Sequence, residues 1–319
     1  MAPKVIYFEN TSPEIRKMID SLKGSNEIFY WNELDQHQQD TRLRSAQYFI
    51  TAIFPISRQI MDKAPCLKFI QKTGSGYDNI DVASATEKGI IVSNTPGANA
   101  TSVAEMTLGM ILSLYRKLSF LDRETKRGHW LMWEHRPHMF EISGKIHGIV
   151  GMGTIGRKVA QLSTAFGAKV IYYNRNRLPA DEESKLDIVY APLSELLAAA
   201  DIVSLHIPLT PESRNMIGAE ELRLMKPNAL LINLARGNIV DEPALATALK
   251  QGQLLGAGID SWACEPLSPD NPLLELDNVL ATPHVGGGTR DVLKRLLAAS
   301  FANITKIENG MSPDHVVTK

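Results

Sequence analysis

The sequence has few cysteines, no long apolar run and no excess of charge of either sign. Its two cysteines, Cys66 and Cys264, have no spacing typical of a metal site or a disulfide framework. The 34 basic and 35 acidic residues give a net charge of −1, so charge gives nucleic-acid binding no support. The apolar stretch at 107–115 is far shorter than the roughly 18 residues that a membrane span requires. We therefore expect no metal, no nucleic-acid partner and no membrane association.

The N-terminus does not read as a signal peptide. The continuous apolar run before the acid Glu9 is only four residues long (5–8), whereas a signal peptide has a longer apolar core. Together with the scarcity of cysteine, this predicts a cytoplasmic protein. Because cysteines are most often buried, we expect Cys264 to be a buried, inert thiol.

Short β-rich runs alternate with helical patterns along most of the chain, which is typical of parallel α/β architecture. The pattern predicts a first unit, and a second one that begins near residue 146, with no flexible tether between them. The predicted strands are 5–8, 48–53, 67–70, 90–92, 146–150, 170–173, 202–205, 229–232, 256–259 and 279–281. The main predicted helices are 12–22, 101–127, 157–166 and 291–308.

The strongest local motif is a glycine triplet, Gly151, Gly153 and Gly156, between an apolar strand and a helix. In a G-x-G-x-x-G turn the first glycine makes the tight turn and the second lets the backbone approach a pyrophosphate. The third allows close packing of helix on strand. The helix N-terminus then offers N–H groups and partial positive charge to phosphates. The motif predicts a dinucleotide-binding loop.

The end of the next predicted strand indicates which dinucleotide. A carboxylate there normally binds the adenine ribose of NAD, but this chain has Asn174, flanked by Arg175 and Arg177. Arginine can bind a 2′-phosphate through two hydrogen bonds, and no carboxylate is present to repel it. NADP is therefore the preferred cofactor and NAD a possible one. The alternative is that both arginines are ordinary surface residues.

Three polar residues follow successive predicted strands: Arg236, Glu265 and His284. In open α/β sheets, ligands bind beyond the carboxyl ends of the strands, where these loops should lie. An arginine, a carboxylate and a histidine placed behind a dinucleotide loop indicate a catalytic constellation rather than three unrelated surface residues.

With these loops the chain resembles the D-2-hydroxyacid dehydrogenase family over nearly all of its length. Supporting segments are residues 73–81 (TGSGYDNID), 94–105 (NTPGANATSVAE) and 206–210 (HIPLT), besides the glycine loop and the three polar loops. The resemblance implies an α/β fold with two Rossmann-like, doubly wound parallel-sheet domains. The substrate (catalytic) domain, residues 1–100 and 289–319, would be discontinuous in sequence, and residues 101–288 would form the dinucleotide-binding domain.

The resemblance also implies roles for individual residues. His284 would donate a proton to the carbonyl oxygen of a 2-oxo acid, Glu265 would orient the imidazole, and Arg236 would bind the substrate carboxylate. Backbone N–H groups of Ser75 and Gly76 would hold the other side of that carboxylate, and Asp260 would face the nicotinamide carboxamide. The remaining expected cofactor contacts are Thr154, Ile155, His206, Ile207, Pro208, Leu234, Ala235, Gly286 and Gly287.

We therefore expect an NADPH-dependent reductase of a small 2-oxo acid, of the glyoxylate/hydroxypyruvate type, acting as a homodimer. The loop after the second predicted strand has no basic residue, which disfavours phosphoglycerate, and Ile53 and Phe54 would make that side of the pocket apolar. Two alternatives stay open. One is an NAD-linked D-lactate-type dehydrogenase, and the other is a corepressor-like protein that senses the dinucleotide without turning over substrate. The segment 128–140 receives no role.

Overall fold

The computed structural model describes residues 2–318. The chain divides into two compact units, one comprising the residues up to Asn99 together with those from Thr289, and the other comprising Ala100–Gly288. The predicted domain boundaries fall within one residue of these limits.

Twelve strands and twelve α-helices are found in the described residues, with three short 3₁₀ helices besides. The strands are β1 (Lys4–Tyr7), β2 (Glu27–Tyr30), β3 (Tyr48–Thr51), β4 (Phe69–Lys72), β5 (Ile91–Ser93), β6 (Ile146–Val150), β7 (Lys169–Tyr173), β8 (Ile188–Tyr190), β9 (Ile202–Leu205), β10 (Leu230–Asn233), β11 (Gly256–Ile259) and β12 (Val279–Ala281). The helices are α1 (Pro13–Leu22), α2 (Gln36–Ser45), α3 (Arg58–Asp62), α4 (Val82–Glu87), α5 (Ala100–Tyr115), α6 (Leu118–Lys126), α7 (Thr154–Ala165), α8 (Ala180–Leu186), α9 (Leu193–Ala199), α10 (Ala219–Leu224), α11 (Glu242–Lys250) and α12 (Arg290–Glu308).

The discontinuous unit is a five-stranded parallel sheet with strand order β2-β1-β3-β4-β5. All four residues of β3 and of β4 are buried, as expected for parallel strands covered on both faces. Ser12 caps α1 by accepting a hydrogen bond from the Ile15 N–H, as the Ser-Pro-Glu start predicts. The sequence pattern missed β2, which lies at the sheet edge.

The second unit is a seven-stranded parallel sheet with strand order β12-β11-β10-β9-β6-β7-β8. The chain winds outward in both directions from neighbouring strands β6 and β9, so the fold is doubly wound as predicted. The loops at the carboxyl ends of β6, β7 and β9 to β12 carry most of the predicted site residues. The two sheets together confirm the α/β, Rossmann-like fold.

The predicted long helix at 101–127 is wrong in its continuity. The chain forms α5 and α6 instead, and Lys117 between them has a left-handed φ of 51°. Nine of the 16 residues of α5 are buried, whereas α6 buries none of its residues. The apolar spacing continues through Leu118, but that side chain is 53% exposed, so no core contact holds the two segments in line.

Candidate active site

The glycine triplet has the three different environments that a dinucleotide turn requires. Gly151 has a left-handed φ of +100°, and a Cβ there would lie 2.6 Å from the His206 carbonyl oxygen. A Cβ on Gly156, inside α7, would lie 2.0 Å from the Gly151 carbonyl oxygen. A Cβ on Gly153 would meet no atom within 4 Å among the described residues. The backbone is therefore tight at the first and third glycines and open to a ligand at the second.

The N-terminus of α7 lies behind this turn. Its N-cap residue is Gly153, which has no side chain to bond the first-turn N–H groups, and Thr154 and Ile155 begin the helix. The 12-residue helix presents these donors and its positive dipole end toward the open face of Gly153. The turn and the helix together fit the pyrophosphate of a dinucleotide.

The loop after β7 places the two predicted arginines in different environments. Arg177 donates from Nε and Nη2 to the two oxygens of Glu183, each at 2.8 Å. The Arg177 guanidinium, aided by the Tyr172 hydroxyl, lowers the pKa of Glu183 to about 2. Arg175 is exposed, and Asn174 accepts a 3.4 Å hydrogen bond from the Met152 N–H beside the glycine turn. Arg177 therefore has a structural partner, Glu183, that the sequence did not indicate. Arg175 faces solvent, and Asn174 faces the glycine turn.

The predicted segment 206–208 adjoins the glycine turn through its backbone. The His206 N–H donates to the Val150 carbonyl at 2.7 Å, which continues the pairing of β9 with β6. Farther along this loop, the Thr210 hydroxyl, and to a smaller extent the Arg175 charge, lower the pKa of Glu212. The loop after β9 therefore runs from the glycine turn toward the loop after β7. The contacts of His206, Ile207 and Pro208 with a dinucleotide stay predictions.

Below this segment lies a buried chain of hydrogen bonds that sequence reasoning missed. The fully buried His147 ring contacts Ser163 Oγ through Nδ1 and Ser204 Oγ through Nε2, each at 2.8 Å. Ser204 Oγ also lies 2.9 Å from His206 Nε2. Burial lowers the pKa of both imidazoles to about 3. Both rings are therefore neutral near pH 7 and serve as hydrogen-bonding groups within the sheet.

Glu265 and His284 lie together, as predicted. His284 Nδ1 is 2.8 Å from Glu265 Oε2 and 3.0 Å from Oε1, and both side chains are 37% exposed. The Trp262 N–H donates to Glu265 Oε1 at 2.9 Å, which fixes the carboxylate behind the ring. Since a carboxylate only accepts hydrogen bonds, Nδ1 carries the hydrogen and the Nε2 edge of the ring is turned away from the pair.

Arg236 follows β10 and is held by its neighbours. Its carbonyl oxygen accepts a 2.9 Å hydrogen bond from Asn233 Nδ2, and its own Nη1 donates to the Ala235 carbonyl at 2.8 Å. The next residue, Gly237, contacts the loop after β11 so closely that a Cβ would lie 1.8 Å from the Trp262 carbonyl carbon. The loops that carry Arg236 and Glu265 are thereby locked together.

Asp260 anchors the loop that carries His284. Its Oδ1 accepts from Thr282 Oγ1 at 2.5 Å and from the Val285 N–H at 2.9 Å, and its Oδ2 accepts from the Gly286 N–H at 2.8 Å. His284, in the middle of this span, has a left-handed φ of 54° that an unanchored loop would seldom keep. The expected contact of Asp260 with the nicotinamide carboxamide stays a prediction.

A second buried carboxylate, on Glu242, was missed because the sequence marks it only as the start of a helix. Its Oε1 accepts from the Ala263 N–H at 2.6 Å, and its Oε2 accepts from Asn271 Nδ2 at 2.8 Å. It ties the loop of Glu265 to the start of α11. Cys264 in this loop is exposed, so the expectation that it is buried is wrong.

The comparisons with known proteins identify the family of this chain. The family described as "D-isomer specific 2-hydroxyacid dehydrogenase, NAD binding domain" matches residues 108–286. A glyoxylate reductase of Thermococcus litoralis is 36% identical over 328 aligned residues, covering 100% of this chain and 98% of that protein. The chain belongs to this dehydrogenase family. The Thermus thermophilus protein TT0316 has a similar structure, with TM-score 0.88, 33% identity and coverage of 98% of this chain and 99% of that one. A D-lactate dehydrogenase of Aquifex aeolicus, solved with NAD and lactic acid, gives TM-score 0.84, 28% identity and 99% coverage of both chains.

This D-2-hydroxyacid dehydrogenase therefore carries the family's dinucleotide-binding domain, and its residues fit a nicotinamide dinucleotide. The open face of Gly153 and the uncapped start of α7 would hold the pyrophosphate. The loop after β7 would hold the adenine ribose. Leu234, Ala235, Gly286 and Gly287 lie in the loops after β10 and β12, and their cofactor contacts stay predictions.

The loop of Ser75 and Gly76 in the other unit of the dehydrogenase is built to expose backbone donors. Gly74 and Thr95 are joined by two hydrogen bonds, from Gly74 N to Thr95 Oγ1 at 2.6 Å and from Thr95 N to Gly74 O at 2.9 Å. Asn94 Nδ2 donates to the Ser75 carbonyl at 2.7 Å. Within residues 2–318, the N–H groups of Ser75 and Gly76 have no acceptor. Such a pair of donors suits an anion, and the predicted substrate contact stays a prediction.

Residues 2–318 contain no group of three or more His, Cys, Asp or Glu side chains arranged to hold a metal ion. No helix in the same residues has the length and apolar character needed to cross a membrane.

Proposed function

We propose that this dehydrogenase reduces a small 2-oxo acid of the glyoxylate/hydroxypyruvate type to a D-2-hydroxy acid and prefers NADPH. The observation that carries the reaction is the His284–Glu265 pair, held at 2.8 Å on loops fixed to each other and to Arg236. The similarity to the Thermococcus litoralis glyoxylate reductase supports the substrate class.

The proton is handled by His284. Glu265 accepts from Nδ1 and fixes the ring orientation, so the Nε2 edge is the one that gives its proton to the substrate carbonyl oxygen. The nicotinamide, when bound, supplies the hydride to the carbonyl carbon. Removing Glu265 would leave the ring without its orienting partner and lower turnover more than substrate affinity.

Arg236 is proposed to bind the substrate carboxylate and polarise the carbonyl. A guanidinium can form two parallel hydrogen bonds to a carboxylate, which fixes the plane of a 2-oxo acid. The backbone of Arg236, held by Asn233 and locked against Trp262 through Gly237, keeps the origin of this side chain fixed.

The preference for NADPH rests on the loop after β7. It has Asn174 where a carboxylate would discriminate against the 2′-phosphate, and it has the exposed Arg175. Since Nε and Nη2 of Arg177 are engaged by Glu183, we assign the larger share of phosphate binding to Arg175. Arg175→Ala should raise the KM for NADPH at least tenfold and the KM for NADH little. Arg177→Ala is the matched comparison, with a smaller effect on KM for NADPH, and equal responses of both cofactors to Arg175→Ala would contradict the assignment.

The second candidate is an NAD-linked D-lactate-type dehydrogenase. It is favoured by the structural similarity to the Aquifex aeolicus D-lactate dehydrogenase solved with NAD and lactic acid. The corepressor-like alternative differs from both in predicting dinucleotide binding without turnover.

We further propose that the protein acts as a cytoplasmic homodimer. Large apolar side chains are exposed around α6 and the segment that follows it, in a pattern that favours burial against a second copy. They are Leu118 (53% exposed), Trp130 (76%), Met132 (47%) and Trp133 (65%). Sedimentation of the native chain and of a Trp130→Ser, Trp133→Ser variant tests this, and a monomeric native protein would contradict it.

The test of the activity is the initial rate at 340 nm with NADPH and NADH. The substrates are glyoxylate, hydroxypyruvate, pyruvate and 4-hydroxyphenylpyruvate. NADPH oxidation should be fast with glyoxylate or hydroxypyruvate and should fall at least 100-fold in His284→Gln. His129→Gln is the control, since that ring pairs with Glu124 outside the proposed site. Preference for NADH and pyruvate would favour the second candidate, and dinucleotide binding without turnover would favour the corepressor-like one.

A further inference from the structure

Glu9, which follows β1, fills a cluster of backbone donors at the carboxyl edge of the first sheet. Its Oε1 accepts from three successive N–H groups, those of Ala52 at 2.6 Å, Ile53 at 2.9 Å and Phe54 at 3.3 Å. Thr51 Oγ1 also lies 3.4 Å from the same oxygen. Successive N–H groups that converge on one point form an anion-binding nest. Here the anion is the chain's own carboxylate.

In the loop after β3, the two large apolar side chains, Ile53 and Phe54, lie in different environments. The Phe54 ring stacks on Phe8 at 4.6 Å between centroids and lies 5.7 Å from Trp31, so it is partly buried and packs against the core. The expectation that Phe54 faces the pocket is therefore wrong. Ile53 is 73% exposed. Ile53 thus faces solvent in the loop whose backbone N–H groups Glu9 occupies.

This loop is tied to the loop that exposes the Ser75 and Gly76 N–H groups. Strands β3 and β4 are neighbours, and the Thr73 N–H donates to the Thr51 carbonyl at 2.8 Å. Lys72 Nζ donates to the carbonyls of Ala52 and Thr73, at 2.5 Å and 3.2 Å, and so joins both loops. A substrate carboxylate on the Ser75 and Gly76 amides would therefore have the Glu9 nest at the adjoining strand end.

We propose that Glu9 is a specificity-determining residue that excludes 2-oxo acids with a second anionic group. Its carboxylate occupies the donors that a distal phosphate or carboxylate would use, and its charge repels such a group. This inference rests on the proposed function, because it assumes that the Ser75 and Gly76 amides bind the carboxylate of a 2-oxo acid. It assigns to the enzyme substrates with a single negative charge.

The test compares two substrates that differ only by a phosphate, 3-phosphohydroxypyruvate and hydroxypyruvate. Glu9→Ala empties the nest and should raise the ratio of their kcat/KM values at least tenfold over that of the native enzyme. Glu9→Gln keeps an oxygen in the nest but removes the charge, and should raise the ratio about threefold. Glu14→Ala, which removes an exposed acid on α1, is the control and should leave the ratio unchanged.

If Glu9→Ala folds and its ratio of kcat/KM values for the two substrates equals that of the native enzyme, the inference is overturned. If Glu9→Ala does not fold, an unchanged ratio in Glu9→Gln overturns it. A readout without turnover separates this result from failure of the proposed function. Inorganic phosphate at about 10–50 mM should raise the Tm of Glu9→Ala more than that of the native chain or of Glu9→Gln. If the native enzyme reduces no 2-oxo acid, the proposed function fails, and the phosphate shift still decides whether Glu9 blocks an anion site. Equal shifts in all three proteins overturn the inference.

Discussion

The buried His147 should make the stability of the dinucleotide-binding unit depend on pH below neutrality. The ring is 0% exposed, is bonded at both nitrogens to serine hydroxyls, and has its pKa lowered by burial from 6.5 to about 3. Below pH 6.5 the His147 ring binds a proton in the unfolded chain, whereas in the folded chain it stays neutral until the pH approaches 3. The stabilisation is therefore complete above pH 6.5 and is lost progressively as the pH falls toward 3.

The size of this effect follows from linkage. Each pH unit between the unfolded and folded pKa values costs about 1.4 kcal/mol, so the native chain should lose about 2 kcal/mol at pH 5 through this one group. His147→Gln removes the titrating ring. It should be less stable at pH 7.5 by about 1–3 kcal/mol, because a buried serine hydroxyl loses its partner. The difference in unfolding free energy between the native chain and His147→Gln should then shrink by about 2 kcal/mol between pH 7.5 and pH 5.

Urea unfolding followed by tryptophan fluorescence at pH 7.5, 6.0 and 5.0 measures this difference. Carboxylates titrate alike in both proteins and cancel in the comparison. His37→Gln, at an exposed position on α2, is the control and should keep the native pH dependence. A His147→Gln variant whose unfolding free energy changes with pH as steeply as that of the native chain would refute the reasoning.

Three further predictions concern the site. Asp260→Asn replaces one of the two carboxylate oxygens with an NH2 group, which cannot accept from the backbone N–H groups of Val285 and Gly286. We therefore expect kcat to fall at least tenfold and Tm by several degrees. A native kcat would contradict the anchoring role of Asp260. Gly156→Ala places a Cβ 2.0 Å from the Gly151 carbonyl oxygen, and energy transfer from tryptophan to NADPH should show lost binding; native affinity would be inconsistent with that close approach. Alkylation of the exposed Cys264 should lower kcat, and Cys264→Ser should resist it; equal inactivation of both proteins would place the sensitive thiol at Cys66.

Local sequence was sufficient where a chemical function requires a particular residue at a particular spacing. Gly151 has a left-handed φ of +100°, and a Cβ on Gly156 would lie 2.0 Å from the Gly151 carbonyl oxygen, so these two positions require glycine. The glycine triplet could therefore be recognised from its spacing alone. Apolar runs of four to five residues predicted most of the buried parallel strands, since such strands are covered on both faces. The positions of Glu265 and His284 after successive strands indicated that their loops meet at one edge of the sheet, and the family resemblance implied the pairing that the structure shows.

Tertiary structure alone decided what each charged side chain contacts. Glu9 and Asp260 each accept from backbone N–H groups more than 20 residues away in sequence, and no local pattern marks such partners. Arg177 reads like a phosphate ligand, yet Glu183 engages two of its nitrogens. The break at Lys117 likewise depends on whether the next turn finds a core to pack against. Sequence by itself determined the fold class and indicated the proposed reacting groups, because backbone sterics and side-chain chemistry are local. The partners that hold those groups depend on long-range packing, which only the folded chain specifies.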